Sequence, residues 1–502
     1  MAEEVKRRYS RLAWVALACL VVPMFASYFF DDMFSTISYL FEDPSRTALG
    51  WDAAGYGLYT SGYSVLCVFG GLVICGILLD KWGVRITGSI FVGMMAAGAL
   101  LVLHAITAGY APAKSLRLAY VGCMFFGLGS EIAGTAVTRS IAKWFREGPM
   151  ALAMGLQLAI ARLGTAVALV LAPRLVVENA GHVYSLAETA RPAVFGVGLM
   201  AAGLILWAFF VALDARRFPA RRPGATAQGS TPATSGHEAR TGADNSSSDD
   251  EAFRLKDVLK VLTNKNFWLL GLLCVLFYSS IVAFKKFAGA ILIPRFGIPA
   301  ATAGWMVSML PFSTVIFAPL FGLLVDKRGK GTRWMILGSI LALIAHLLLA
   351  FAPAGVPFYG YLSMVFLGFG YSLVPAALWP SVPKIVPDKV LGTTYSLIYW
   401  VQNLGLLSFK WLAGVILGAA AGSAAAAAAG SAAAASSAGS AAVASSAASS
   451  AGSVFSAGAL SGPVRVELMF VALCIAAVII ALLFARVSRR RPELRLDAPS
   501  GK

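Results

Sequence analysis

Two stretches of the chain carry one pattern: Gly76-Ile-Leu-Leu-Asp80-Lys81-Trp-Gly83-Val-Arg85 and Gly322-Leu-Leu-Val-Asp326-Lys327-Arg328-Gly329-Lys330. Each stretch follows one apolar run and precedes another. The glycine allows a helix end to pack closely against a neighbour, and the aspartate can meet a helix N-terminus or an arginine. The same loop at two places indicates a chain built from two similar halves.

The composition places these loops in a membrane protein. The 502 residues are 58% hydrophobic and only 13% charged, which is too little charge to cover a soluble protein of this length. An apolar helix of about 20 residues spans the hydrocarbon core with its backbone groups paired. The apolar runs predict spans 1 to 6 at 12–31, 56–79, 87–108, 118–142, 150–175 and 193–214, and spans 7 to 12 at 267–293, 302–325, 334–352, 358–382, 392–418 and 464–486. We therefore expect an all-α membrane protein of 12 transmembrane helices in two pseudo-symmetric six-helix bundles.

The basic residues cluster at alternate ends of the spans, as in Lys81 with Arg85, Lys143 with Arg146, and Lys327 to Arg333. A formal charge of +17 with this placement argues for a lipid bilayer as the partner and against nucleic acid. The positive-inside rule places both termini and the central linker in the cytoplasm, which requires an even number of spans. The first apolar run follows a basic N-terminus and lacks a small-residue cleavage site, so it predicts a retained helix.

Composition also divides the chain into segments. We expect one bundle at 1–215, a cytoplasmic linker at 216–262 that is rich in Arg, Pro, Gly and Ser, a second bundle at 263–487, and a basic cytoplasmic tail at 488–502. An Ala/Ser-rich insert at 419–462 predicts an outer loop, because a thirteenth span would move the basic C-terminus to the wrong face.

Metals and cofactors are not indicated. All six cysteines fall in predicted spans, where thiols behave as small apolar groups, and the sequence has no CxxC pair and no P-loop. The four histidines are scattered, and His346, near the middle of span 9, is expected to be structural. We expect no metal, no ATP and no enzymatic activity.

Two charged residues fall near the membrane centre. Glu131 lies about 13 residues into span 4 and Arg162 about 13 residues into span 5, so at 1.5 Å per residue each is about 20 Å from the face where its span begins. A charge at this depth costs about 2.5–3.5 kcal/mol on insertion scales and normally faces a cavity or a partner. Opposite charges on consecutive antiparallel spans predict either a structural ion pair or a site for a ligand with both an ammonium and a carboxylate.

Other charged residues lie nearer the span ends. Asp31 and Asp32 close span 1 and are expected at the interface, whereas Lys410 is expected to snorkel outward. For Lys285 and Lys286, in the outer third of span 7, interfacial and functional roles both remain open.

The repeated loops resemble the inter-helix signature of the major facilitator superfamily. Further stretches resemble the family of lysosomal dipeptide transporters within it: Gly127-Leu-Gly-Ser-Glu131, Lys143-Trp-Phe, Gly155 to Gly164 around Arg162, Ser27-Tyr28-Phe29 before Asp32, Ala377-Leu-Trp379-Pro380 and Gln402-Asn403-Leu-Gly405. The likeness covers most spans in both halves.

The resemblance implies a secondary transporter for dipeptides or small zwitterionic peptides, whose halves rock about a midplane cavity. It implies that Glu131 and Arg162 contact the two charged ends of the peptide. The candidates for the rest of the cavity wall are Tyr28, Asp32, Trp379 and Asn403. The loop residues expected to control the conformation are Gly76, Asp80, Gly83, Arg85, Gly322, Asp326 and Gly329.

Two other functions stay open: a proton-coupled carrier of organic anions or drugs with Glu131 as the protonatable group, and a non-transporting scaffold or receptor if the buried charges are structural. The N-terminus lacks the acidic dileucine type of sorting signal that animal members of the family carry. This favours a prokaryotic plasma membrane, or a lysosomal membrane if the protein is eukaryotic. The sequence neither indicates nor excludes an accessory subunit or a homodimer.

Overall fold

The computed structural model describes residues 2–41, 43–145, 149–177, 181–219, 261–386, 391–437, 461–494 and 496–498. In these residues, twelve helices are long and apolar enough to cross a membrane, which confirms the predicted number of spans. Most of the linker predicted at 216–262 lies outside the described residues, as does the second part of the Ala/Ser-rich insert.

The first half contains spans 1 to 6, whose helices are Ala2–Asp32, Ala53–Leu66 with Leu72–Thr107, Pro112–Trp144, Met150–Leu175 and Leu186–Arg217. Span 2 covers Ala53–Leu79 and span 3 covers Lys81–Thr107. The two short 3₁₀ helices Ser38–Phe41 and Pro44–Arg46 lie in the loop between spans 1 and 2.

The second half contains spans 7 to 12, whose helices are Lys265–Lys286, Ala300–Arg328, Gly331–Phe351, Pro357–Leu378 with the 3₁₀ turn Trp379–Lys384, Leu391–Ser437 and Gly462–Arg490. A short helix, Ala288–Phe296, follows span 7.

The structure differs from the predicted boundaries at span 7 and at the insert. The run predicted at 267–293 is divided at Phe287, where φ is −109° and ψ is 16°, so that Lys285 and Lys286 end the spanning helix. The helix of span 11 continues beyond the predicted boundary to Ser437, so the first part of the insert is helical rather than a loop. Alanine has the highest helix propensity, which explains this continuation.

The predicted basic tail also begins later and is partly packed. The last helix continues to Arg490, and the Asp497 carboxylate accepts a hydrogen bond from the backbone N–H of Thr332 at 2.9 Å. This contact fixes the tail against the start of span 9.

The repeated loops lie on one face of the molecule, which we call the loop face. Gly83 and Gly329 have φ of 74° and 62°, a region that favours glycine. The expected close packing of Gly76 and Gly322 is not present, because a Cβ at either position would meet nothing within 4 Å. A Cβ at either glycine would therefore point into open space.

Arg85 anchors the first repeated loop to its own bundle. Its Nε lies 2.6 Å from the Asp214 carboxylate, which also accepts from Lys143 Nζ at 3.0 Å and from the Trp144 indole at 2.9 Å. Spans 3, 4 and 6 are thereby joined. Asp326 is exposed, and the side chain of Asp80 lies outside the described part of the structure.

The two halves meet closely on the opposite face, which we call the closed face. A Cβ at Gly57 in span 2 would lie 2.8 Å from Cα of Gly414 in span 11. A Cβ at Gly304 in span 8 would lie 2.3 Å from the carbonyl oxygen of Leu169 in span 5. Glycine at these positions therefore allows the backbones of the two halves to touch.

Span 2 is broken near its middle by the π-helical turn Cys67–Gly71, where Phe69 and Gly70 leave helical geometry and Gly70 has φ of 92°. The Trp400 indole of span 11 donates a 2.7 Å hydrogen bond to the carbonyl of Val68. A side chain of the second half thus satisfies a backbone group that the break affects.

Candidate functional site

A cavity of about 1830 Å³ lies between the halves. Its wall extends from Lys81 and Val84 at the loop face to Asp31 and Lys285 near the closed face. The close backbone contacts between the halves lie at the closed face, and the cavity is accessible from the loop face. Of the predicted site residues, Tyr28, Glu131, Arg162, Trp379 and Asn403 line it.

Glu131 belongs to a polar cluster formed by the first half alone. The Tyr63 hydroxyl lies 3.1 Å from Glu131 Oε1 and 3.2 Å from the Ser130 hydroxyl, which in turn is hydrogen-bonded to Ser27. Spans 1, 2 and 4 therefore hold the carboxylate in place. Its second oxygen has no protein donor among the described residues, and so it can accept from a ligand.

Arg162 connects the first half to the second. Its guanidinium donates to the Tyr371 hydroxyl at 2.8 Å and lies 5.2 Å from the centre of the Tyr371 ring and 5.8 Å from that of Tyr28. A guanidinium has five N–H donors in a planar fork, and one hydrogen bond leaves most of them available.

Glu131 and Arg162 do not form an ion pair in the described structure: each contacts a tyrosine instead. Of the two arrangements that the sequence predicts, the structural ion pair is therefore absent, and two separate charges of opposite sign face one cavity.

The second half contributes an aromatic wall. Trp379 stacks on Tyr399 with ring centres 5.0 Å apart, and its indole donates to the Tyr278 hydroxyl at 3.2 Å. Asn403 is 4% exposed, and its amide donates to the Tyr399 carbonyl at 3.1 Å. Its Oδ1 is buried and has no donor in the described chain.

Asp32, also predicted to line the cavity, lies instead in a buried ionic cluster behind its wall. The carboxylate is 1% exposed and lies 2.6 Å from Lys285 Nζ and 2.9 Å from Lys286 Nζ, and it accepts from the Thr165 hydroxyl at 2.8 Å. Asp31 binds Lys286 at 2.8 Å. The cluster joins span 1 to span 7 at the closed face. Asp31 and Asp32, like Lys285 and Lys286, are therefore paired within the protein and not placed at the membrane–water interface.

Lys410 does not snorkel outward as expected. It is 2% exposed and lines the cavity, with its ammonium 5.3 Å from the centre of the Tyr63 ring. The same ring carries the hydroxyl that binds Glu131.

His346 and Glu467 form a second buried pair, away from the cavity. Nδ1 and Oε2 lie 2.8 Å apart, and neither side chain is more than 1% exposed. Phe284 and Phe470 pack against the imidazole. The contact links span 9 to span 12, which agrees with a structural histidine.

Sequence reasoning missed Tyr63 and Tyr371, which hold the two central charges. Tyr371 lies in the same span as Trp379, but a tyrosine in an apolar run is usually part of the packing. A tyrosine whose hydroxyl group lies at the same membrane depth as a buried charge is the signal that could have identified both residues.

Comparisons with known proteins bear on the family and the fold. The Major Facilitator Superfamily model matches residues 21–409. The lysosomal dipeptide transporter MFSD1 of Danio rerio is 30% identical over 397 residues, which cover 78% of each chain. The Homo sapiens protein of that name is 29% identical over 379 residues, or 72% of this chain and 70% of the other. The crystal structure of the nucleoside transporter NupG has a TM-score of 0.61 at 12% identity, over 94% of this chain and 98% of NupG, and shows likeness of fold.

Proposed function

Because the chain belongs to the major facilitator superfamily, we propose that it is a carrier for dipeptides and other small zwitterionic peptides, which cross the membrane by alternating access. The observation that carries this proposal is the placement of Glu131 and Arg162. Both charges face the cavity between the halves, and neither is neutralised by the other.

A zwitterionic peptide complements this pair of charges. Its ammonium would bind Glu131, and its carboxylate would bind the free N–H groups of Arg162, as charge-assisted hydrogen bonds. The stacked rings of Trp379 and Tyr399 would contact apolar side chains without selecting one of them. This division of contacts favours recognition of the peptide's ends over any particular sequence.

Through Arg162, ligand binding would also affect the contact between the two halves. Its hydrogen bond to Tyr371 joins the halves across the cavity. A peptide carboxylate on Arg162 would compete with that bond, so binding would change the contact between the halves. A ligand shifts a conformational equilibrium only through such a difference in affinity for its two states.

We infer that the loop face is cytoplasmic, since the basic residues concentrate there. The structure would then be the inward-facing state, with the outer side closed by the close approach of Gly57 to Gly414 and by the Asp32 cluster. The two MFSD1 relatives named above are lysosomal transporters.

Peptide uptake into proteoliposomes tests the function. We expect wild-type protein to transport Ala-Ala, and we expect Glu131→Gln and Arg162→Ala each to reduce the flux at least about tenfold, since each removes a charge-assisted contact. Lys114→Gln is the matched control, because Lys114 is exposed and contacts Tyr110 outside the cavity. Normal transport by both variants would refute the site.

A pH gradient separates the transport mechanisms. Flux that equilibrates Ala-Ala without a gradient indicates facilitated passage. Accumulation that requires an imposed proton gradient and is lost in Glu131→Gln would instead indicate proton coupling. Absence of any peptide flux from folded protein would rule out the peptide assignment.

A further inference from the structure

Lys410 is a buried cation without a carboxylate partner. The described residues place no Asp or Glu oxygen within 4 Å of its ammonium, which lies 5.3 Å from the centre of the Tyr63 ring. Asp31 also lines the cavity, but its carboxylate is bound to Lys286 at 2.8 Å. An ammonium in such a place lacks the compensation that buried charges normally have.

The charged groups at the end of the cavity nearest the closed face carry a net positive charge. Three carboxylates and four cations lie in its wall or in the ionic cluster directly behind it: Asp31, Asp32 and Glu131, and Arg162, Lys285, Lys286 and Lys410. The acids and bases of the Asp32 cluster are paired with each other. One positive charge therefore remains after Glu131 and Arg162 have been matched, and it lies at Lys410.

The position of Lys410 relative to Glu131 indicates which end of a bound peptide the excess positive charge would face. The Tyr63 ring that Lys410 contacts also carries the hydroxyl that lies 3.1 Å from Glu131. Lys410 is thus next to the part of the cavity where a peptide's ammonium would bind. A carboxylate that approaches Lys410 would come from the first residue of the peptide, whose side chain leaves the same Cα as the ammonium.

We propose that Lys410 is a specificity-determining contact for an acidic side chain at the first position of the peptide. This inference rests on the proposed function, and within that substrate class it predicts a preference for peptides that begin with Glu or Asp. Such a peptide carries one net negative charge. It gives Glu131, Arg162 and Lys410 one opposite charge each, and it neutralises the excess charge of the cavity.

Competition against labelled Ala-Ala uptake in proteoliposomes tests the proposal. We expect Glu-Ala to compete at least about tenfold better than Gln-Ala, which has the same shape without the charge, and Lys-Ala to compete worst. Ala-Glu should compete less well than Glu-Ala, because its acidic side chain lies at the other end. The preference should disappear in Lys410→Gln and persist in Lys410→Arg and in the exposed-site control Lys114→Gln.

The outcomes distinguish this inference from the proposed function. Absence of Ala-Ala flux would refute the proposed function itself. Normal Ala-Ala flux with equal competition by Glu-Ala and Gln-Ala would overturn the role of Lys410 alone, and that comparison needs only the wild-type protein. Glutarate that competed as well as Glu-Ala, with no effect of Glu131→Gln, would assign the cavity to organic anions and overturn both.

Discussion

Lys286 Nζ of the second half lies 2.9 Å from the Asp32 carboxylate of the first half, and neither side chain is more than 2% exposed. Lys285 binds the other oxygen of the same carboxylate at 2.6 Å. The closed face is therefore held in part by the charges of Asp32 and Lys286, which are buried while the halves are together. Opening that face must separate them or carry them into a hydrated cavity.

Asp32→Asn should weaken the closed face. Removal of one partner from a buried ion pair costs about 3–5 kcal/mol, and the two lysines would lose the charge they share. We expect a cysteine at Ser35, which is fully buried, to react faster with an impermeant maleimide added at that face. Asp43→Asn, in an exposed loop, is the control. Equal labelling in both backgrounds would show that the cluster does not hold the face closed.

Gly414→Ala should also oppose closure, through sterics instead of charge. The added Cβ would lie 2.5 Å from the Ala53 carbonyl oxygen and 2.7 Å from Cα of Gly57, and both are backbone atoms that cannot turn aside. We expect slower peptide transport and the same increase in labelling at Ser35. Gly271→Ala, where a Cβ meets nothing within 4 Å, should leave both measurements unchanged. Wild-type transport by Gly414→Ala would contradict the close approach.

Tyr63→Phe should raise the KM for Ala-Ala and leave the maximal rate nearly unchanged. The hydroxyl contributes a hydrogen bond to the Glu131 carboxylate, and such bonds to charged groups are worth about 1.5–3 kcal/mol, or a roughly tenfold or larger change in affinity. Concentration-dependent uptake measures both constants. Tyr361→Phe, a partly exposed site away from the cavity, should not change the KM. A lower maximal rate with an unchanged KM would place Tyr63 in the conformational step instead.

His346→Leu should destabilise the protein strongly, because Glu467 would remain buried without its partner, at a cost of about 3–5 kcal/mol. We expect the melting temperature in detergent to fall in this variant and to recover in His346→Leu combined with Glu467→Met, which replaces both polar groups. The double variant should transport Ala-Ala normally. Recovery of stability with lost transport would show that the pair takes part in the transport cycle.

The sequence predicts the spans and the depth of the central charges, because hydrophobic length and helical rise depend only on local chemistry. Glu131 and Arg162 both prove to line the cavity. Their partners, Tyr63 and Tyr371, depend on how each helix is rotated about its axis and on the packing of one half against the other. Neither quantity can be read from a hydrophobic run.

The same limit explains why Lys410 and Gly76 are not placed as the sequence predicts. A lysine such as Lys410 can extend toward either face of a membrane. Its position next to Tyr63 depends on how span 11 packs against span 2. The motif glycine Gly76 has no neighbour in this conformation, so a packing role deduced for one state of a moving protein need not be visible in another.

The break in span 2 has a consequence for the rate at which the closed face can open. The Trp400 indole holds the Val68 carbonyl from across the interface, so separation of spans 2 and 11 must break this hydrogen bond in addition to parting the surfaces. Two polar groups would be left without partners inside a membrane until water or lipid replaced the bond. Breaking this hydrogen bond therefore adds to the activation barrier for opening. Trp400→Phe removes the hydrogen bond and leaves the other contacts of the closed face in place, so it should speed the opening of that face.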